Sequence, residues 1–263
     1  MLPLREMPDD AASGPWIGRH VLVTEDEIDF EGRVVASESS VSGFRHLVRF
    51  THLDEPDGWY DACDVRLAPL DIRRWLSRIQ EVRAAGGSCK PPRTPGPTRL
   101  SATLLLGSAK HAADVRSLQR LGVTAVCNCA ATDCPVPEDA YRAAGLAWHA
   151  IHAEDSLLYP LLERHLAEAM SFYTEQRSGG AAAGEGEDGD EGEVGGGGCV
   201  LIHCMEGTNR SACLAVALLL LCEGCTPLLK AVQLVCAQRP GVLSNSKLSE
   251  QLVQVAAERG VLQ

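Results

Sequence analysis

No stretch of this chain approaches the roughly 18–20 consecutive apolar residues that a membrane-spanning helix needs. The longest candidate, Cys213 to Cys222, reaches about half that length. The opening MLPLREMPDD carries three acids and no apolar core of signal-peptide length, so the expectation is a protein neither integral to a membrane nor secreted. A positive balance is also missing. The 24 Lys+Arg face 35 Asp+Glu, a net charge of -11, which argues against a large nucleic-acid-binding surface. The partners expected therefore include no nucleic acid and no membrane. Nor do the cysteines pair off: there are 11, and without a signal peptide they favour reduced thiols over a disulfide framework. A cytoplasmic or nuclear location follows. No repeat of roughly 20–50 residues is visible. What is present is an ordinary 45% of hydrophobic residues over 263 positions, enough for one large domain or two modest ones.

Three breaks in composition organise the chain. Residues 1–12 are acidic and ragged and are expected to be disordered. CKPPRTPGPT, residues 89–98, holds four prolines and a glycine, which precludes helix and favours an extended linker. The tract 178–198 has six acids, no base and 10 of the 25 glycines, too little apolar surface to order itself. The expected organisation is a small domain over 13–70, a helix over 71–88, the linker, and a second domain over 99–263 interrupted by that insertion.

The second domain alternates strand and helix signals. Thr103 to Ser108, Val123 to Ala130, Leu146 to Ala153 and Val200 to His203 read as strands. Ala112 to Leu121, Tyr159 to Arg177, Ser211 to Glu223 and a segment from Thr226-Pro227 to Arg239 read as helices, stopped by Gly122, Gly224 and Pro240. Strands separated by helices predict an α/β fold with a parallel-rich central sheet flanked by helices.

VLIHCMEGTNRSA is the informative segment. A strand ends at His203, Cys204 follows, Gly207 permits a tight turn, and Arg210-Ser211 opens a helix. In such a loop, successive backbone N–H groups can point inward and the helix N-terminus adds positive charge, making a cradle for a tetrahedral oxyanion. Arg210 can supply a bidentate fork to two of its oxygens. A cysteine at the base of the cradle would have its thiolate stabilised by the same dipoles and so be nucleophilic.

The run His203-Cys204-Met205-Glu206-Gly207-Thr208-Asn209-Arg210-Ser211 resembles the signature loop of cysteine-based protein phosphatases of the dual-specificity branch. Leu105-Leu106-Gly107-Ser108-Ala109, Leu121-Gly122-Val123-Thr124 and Asn128-Cys129-Ala130 are similar to the start of that catalytic domain. Glu154-Asp155-Ser156 looks like its general-acid loop. Arg239-Pro240, Asn245 and Gln251-Leu252 are similar to its C-terminal segment, with Leu248 where an aromatic residue is more usual.

The resemblance implies a phosphoric monoester hydrolase acting on a phosphorylated protein, with no cofactor and no metal. Cys204 would be the nucleophile and Arg210, with the amides of Met205 to Asn209, would bind the phosphate. Asp155 would be the general acid, with Glu154 as its rival. Ser211 would help the sulfur leave, and His203 would support it from behind. Asn245 either braces the loop or is a plain turn residue. Cys129 matches a position where some relatives place a cysteine that can trap the nucleophile as a disulfide. Glu206 beside the mouth should repel highly anionic ligands, favouring phosphopeptides over phosphoinositides. Two other readings stay open: a non-catalytic phosphopeptide-binding scaffold, and a phosphatase acting on a glucan, lipid or RNA phosphate ester. Cys127, Cys129 and Cys134, like Cys222 and Cys225, lack a convincing second half for a metal site and read as buried thiols.

In the first domain, His20 to Thr24, Gly32 to Ser37, His46 to Phe50 and Asp64 to Leu67 read as short strands of a small all-β barrel. Trp16, Gly18, Val21, Gly32, Val34, Val48, Phe50, Gly58, Trp59, Tyr60 and Asp61 together resemble a Tudor or SH3-like barrel. That implies a peptide or methylated-residue ligand, gripped by Trp59, Tyr60 and Phe50 through cation–π attraction, unless these rings simply fill the core. The helix Asp71 to Ala85 carries Ile72, Trp75, Leu76, Ile79 and Val82 on one face and is expected to pack on the barrel.

Overall fold

The computed structural model describes residues 17, 19–25, 28–40, 43–50, 56–61, 64–67, 70–86, 96–135, 137–179 and 197–262. The first dozen residues and most of the Pro-rich and Gly/Glu segments lie outside these, as do Trp16 and Gly18. Two units form: Met1–Asp71 with Ala256–Gln263, and Ile72–Val255.

Five buried valines build the core of the smaller unit. Its strands are β1 (His20–Glu25), β2 (Ile28–Ser40), β3 (Gly43–Phe50), β4 (Gly58–Asp61) and β5 (Val65–Leu67). They form one antiparallel sheet in the order β4-β3-β2-β1-β5. Among the described residues its edge strands β4 and β5 do not pair with each other. Alternation puts Val21, Val23, Val34, Val48 and Val65 on one buried face. Gly32 lets β3 approach: a Cβ there would stand 2.4 Å from Val48 Cγ1. Four strands were expected and β4 is the fifth. Trp59 and Tyr60 are its neighbours and therefore face opposite ways. Tyr60 packs edge-on against Phe50, centroids 5.8 Å apart, while Arg45 lies 5.9 Å over the Trp59 ring. The three rings do not share one face.

The larger unit opens with α1 (Ile72–Ala85), whose apolar face was expected on the barrel. It packs against a helix of its own unit, α7 below, burying Trp75 and Ile79, and Arg83 donates from Nε to the Val242 carbonyl at 2.8 Å. Next come β6 (Thr98–Arg99), β7 (Leu104–Ser108), α2 (Ala109–Ala113), α3 (Val115–Arg120), β8 (Val123–Asn128), α4 (Glu138–Ala143) and β9 (Ala147–Ala150). The chain continues through α5 (Leu161–Gly179), β10 (Cys199–Cys204), α6 (Arg210–Cys222), α7 (Leu228–Gln238) and α8 (Ser246–Glu258). One helix was expected where α2 and α3 stand. Asp114 divides them, accepting from the Ser117 N–H at 3.1 Å as the cap of α3.

The sheet order is β6-β7-β10-β8-β9, parallel except for the edge strand β6. Every residue of β7 and β10 is buried, so both faces of the sheet's centre are covered. β10 occupies that centre, which puts Cys204 at the carboxyl end of a parallel sheet, where α/β folds place their ligands. Behind it, α6 is buried from Arg210 to Leu220 and packs on β10 and β7 and against α5 and α7. The observed α/β architecture is the expected one.

Candidate active site

Cys204, at the end of β10, is 3% exposed. The loop from Met205 to Asn209 returns the chain to α6, and its carbonyls are all held from outside. Met205 O accepts from the Ala109 N–H at 3.1 Å, Thr208 O from Leu243 N–H at 2.8 Å, and Asn209 O from Cys213 N–H at 2.8 Å. Arg239 takes the other two, donating from Nη2 to Glu206 O at 3.1 Å and from Nε to Gly207 O at 2.9 Å. Among the described residues no acceptor takes the N–H groups of residues 205–209. A loop whose carbonyls are tied outward offers its amides to an anion.

Two backbone features make this arrangement possible. Gly207 has φ +70°, and a Cβ there would stand 2.2 Å from the Gly107 carbonyl oxygen of β7, so only glycine fits. Leu243, the tether of Thr208, is a non-glycine residue at φ 56°, local strain retained where the loop is fastened. Asn209 is held as well: its Oδ1 accepts from Asn245 N–H at 3.1 Å and from Ser244 Oγ at 3.1 Å. The Asn245 side chain does something else, accepting from Lys247 N–H at 2.9 Å at the start of α8.

Around the sulfur, Ser211 Oγ donates to Cys204 Sγ at 3.2 Å. His203 is 3% exposed, and its Nδ1 lies 3.3 Å from the Cys204 carbonyl rather than against the sulfur. Burial pulls this histidine down to about 4, against an opposing pull from that carbonyl. It is neutral at pH 7.

Arg210 projects from the first turn of α6 and is 4% exposed. Its Nη1 donates to Asp133 Oδ2 at 2.6 Å and to Ala153 O at 2.9 Å, and its Nη2 lies 3.4 Å from Asp155 Oδ2. Burial disfavours its charge, but Asp133, Cys204 and Asp155 outweigh that and leave its pKa raised. Of the two neighbouring acids, Asp155 is therefore the one that reaches the arginine; Glu154 makes no ion pair among the described residues. The acid loop is fastened at its far end by Gln251, which donates to Tyr159 O at 2.8 Å and accepts from Leu162 N–H at 3.0 Å.

Glu206 and Met205 are exposed at the mouth. Burial pushes the Cys129 thiol far up, and Cys134 is raised for the same first reason. Among the described residues all nine cysteines are free, and no cluster of His, Cys, Asp or Glu suits a metal ion.

Sequence reasoning brought Cys204, Arg210, Ser211 and Asp155 to one place. Arg239 has no task legible in the sequence beyond its place in the Arg239-Pro240 resemblance. Nothing in the sequence singles out Leu243 or Asp133. These residues act through partners far along the chain, and nothing in their own neighbourhood announces it.

A buried cysteine in an amide-lined cradle closed by an arginine, at the carboxyl end of a parallel sheet, defines a cysteine-based phosphatase. The family model described as dual specificity phosphatase, catalytic domain, matches residues 195–258. Human dual specificity protein phosphatase 13B is 34% identical over 158 residues, spanning 57% of this chain and 67% of that protein. Mouse dual specificity protein phosphatase 2 is 30% identical over 180 residues, 66% of this chain and 49% of that one. The crystal structure of DUSP15 shares the fold, with a TM-score of 0.51 at 20% identity over 64% of this chain and 91% of the other. The chain belongs to the dual specificity phosphatase family and is a protein phosphatase.

Proposed function

We propose that the 204–210 loop receives the phosphoryl group of phosphotyrosine and of phosphoserine or phosphothreonine in protein substrates, and that the reaction passes through a phosphocysteine. The observation that carries this reading is the set of five outward-tied carbonyls around Cys204. The Cys204 thiolate attacks phosphorus; the S–P bond forms as the P–O bond to the substrate breaks. Asp155 gives its proton to the departing oxygen. The loop amides and Arg210 hold the equatorial oxygens as charge develops. Asp155 then takes a proton from water, whose oxygen attacks phosphorus, and the S–P bond breaks while Ser211 donates to the leaving sulfur. Inorganic phosphate and the free thiolate result. No metal or organic cofactor takes part in these steps.

The N-terminal sheet, with Trp59 exposed at its edge, is proposed to recruit a peptide segment of the substrate or a methylated residue. The cytoplasm or nucleus is the compartment that suits unpaired thiols.

Hydrolysis of an aryl phosphate by the reduced full chain in the presence of a chelator tests the chemistry. Cys204→Ser is expected to abolish turnover, and Asp155→Ala to lower kcat by about 10²-fold. The same assay on a phosphopeptide and a phosphoinositide is expected to show that Glu206→Lys raises the relative rate on the lipid. Folded wild-type protein that turns over nothing would overturn the catalytic reading in favour of a phosphopeptide binder.

A further inference from the structure

Asp133 has no part in the mechanism above, yet its carboxylate makes the shortest polar contact to Arg210, 2.6 Å from Asp133 Oδ2 to Nη1. The contact is built into the fold. Asp133 lies in the turn that follows β8, and that turn is pinned by a buried asparagine, Asn128. Asn128 Oδ1 accepts from Ala130 N–H at 2.9 Å, and its Nδ2 donates to Cys134 O at 2.7 Å. The N–H groups of Asp133 and Cys134 both return to Ala130 O at 2.9 Å, and Ala131 N–H reaches Ile151 O at 3.0 Å. The residue that carries the carboxylate is thus tied to the ends of two adjacent parallel strands.

The donor count on the guanidinium gives the contact its meaning. Nη1 has two hydrogens, and Asp133 and Ala153 O take one each. Their directions fix the rotation of the group about its long axis. The Nε–H has no acceptor among the described residues, and Nη2 meets only Asp155 at 3.4 Å. The edge formed by Nε and Nη2 is the one left for two oxygens of a tetrahedral anion, and a fork of this kind loses little entropy on binding when its plane is already set.

We propose that Asp133 is a positioning residue for the phosphate-binding arginine, holding Nη1 so that the Nε–Nη2 edge faces the loop amides. This rests on the reading of the 204–210 loop as the phosphate site. The charge of Asp133 works the other way, because a carboxylate beside an oxyanion repels it. The sign of the net effect therefore separates positioning from simple occupation of the site.

Tungstate binding by calorimetry, together with kcat and KM for an aryl phosphate, tests the proposal on the full chain as wild type, Asp133→Ala, Asp133→Asn and Asp139→Ala. Asp139 is a fully exposed carboxylate paired only with Arg142 and serves as the control. Asp133→Ala is expected to weaken tungstate binding and raise KM by about ten- to a hundredfold, the range for a charge-assisted hydrogen bond. Asp133→Asn keeps an acceptor for Nη1 and loses the repulsion, so it is expected to restore both to within about threefold of wild type. Asp139→Ala is expected to match wild type. A surface carboxylate with only structural work would not give this Ala/Asn split. Tungstate binding that is unchanged or tighter in Asp133→Ala would overturn the proposal, as would equal losses in Ala and Asn. A wild type that binds tungstate without turnover would sink the catalytic reading alone, with the Asp133 comparison still readable. A wild type that binds no tungstate would sink both.

Discussion

His203 shows how a residue next to the nucleophile can matter most for stability. Its proton affinity is drawn down to about 4 by burial, whereas an unfolded chain has it near about 6.5. Between those values the unfolded state binds more protons than the folded one, so stability falls as pH drops through that window and is flat above it. The loss amounts to roughly 3 kcal/mol across the window. His203→Gln removes the titrating group, and the urea midpoint of that variant is expected to fall less steeply than wild type between pH 6.5 and 4.5. Parallel slopes would show that another group carries the acid sensitivity. At this scale the sequence was informative where chemistry and position coincide. Cys204 and Arg210 are legible because the loop between them is short and its glycine is obligatory. Arg239, Leu243 and Asp133 are not, because each acts on a partner more than 30 positions away, and an arginine, a leucine and an aspartate are unremarkable in isolation.

Among the elements, periodicity disclosed which faces are apolar but not what covers them. Helix α1 is the clearest case. Its stripe was evident from Ile72 to Val82, but an amphipathic stripe fits any apolar surface of suitable shape, and the surface it meets is α7. Trp75→Ala and Ile79→Ala are each expected to destabilise the larger unit by about 3 kcal/mol, the usual size of a large-to-small core change. Arg73→Ala on the exposed side should shift it by less than about 0.5 kcal/mol. Differential scanning of the aryl phosphatase activity, residual rate against temperature, reads this directly. If the Trp75 and Ile79 variants lost activity no earlier than wild type, α1 would be dispensable to the catalytic unit. The opposite lesson comes from α6, whose apolar residues surround the whole helix. That pattern means burial on every side, and its place behind the central strand follows from there.

For the molecule as a whole, the boundary between units falls before α1 rather than at the Pro-rich segment, where composition had suggested a break. Composition marks where chain is unable to fold by itself; it does not say to which side an adjacent helix belongs. Two truncated chains separate the alternatives. One beginning at residue 70 retains α1 and is expected to hydrolyse an aryl phosphate within about threefold of the full-length rate. One beginning at residue 97 uncovers α7 and is expected to melt at least about 5 °C lower. Equal melting of the two would return α1 to the N-terminal unit.

The tethers of the phosphate loop come from Ala109, Cys213, Arg239 and Leu243, which are spread over half the chain. A ribosome that has just released α6 has already delivered the nucleophile, the arginine and the acid. It has not delivered Arg239 or Leu243, so the carbonyls of Glu206, Gly207 and Thr208 are still unfastened. Catalytic competence is therefore expected only after Arg239 and Leu243 have emerged. A chain terminated after α6, although it contains the whole recognisable motif, is expected to show no aryl phosphatase activity.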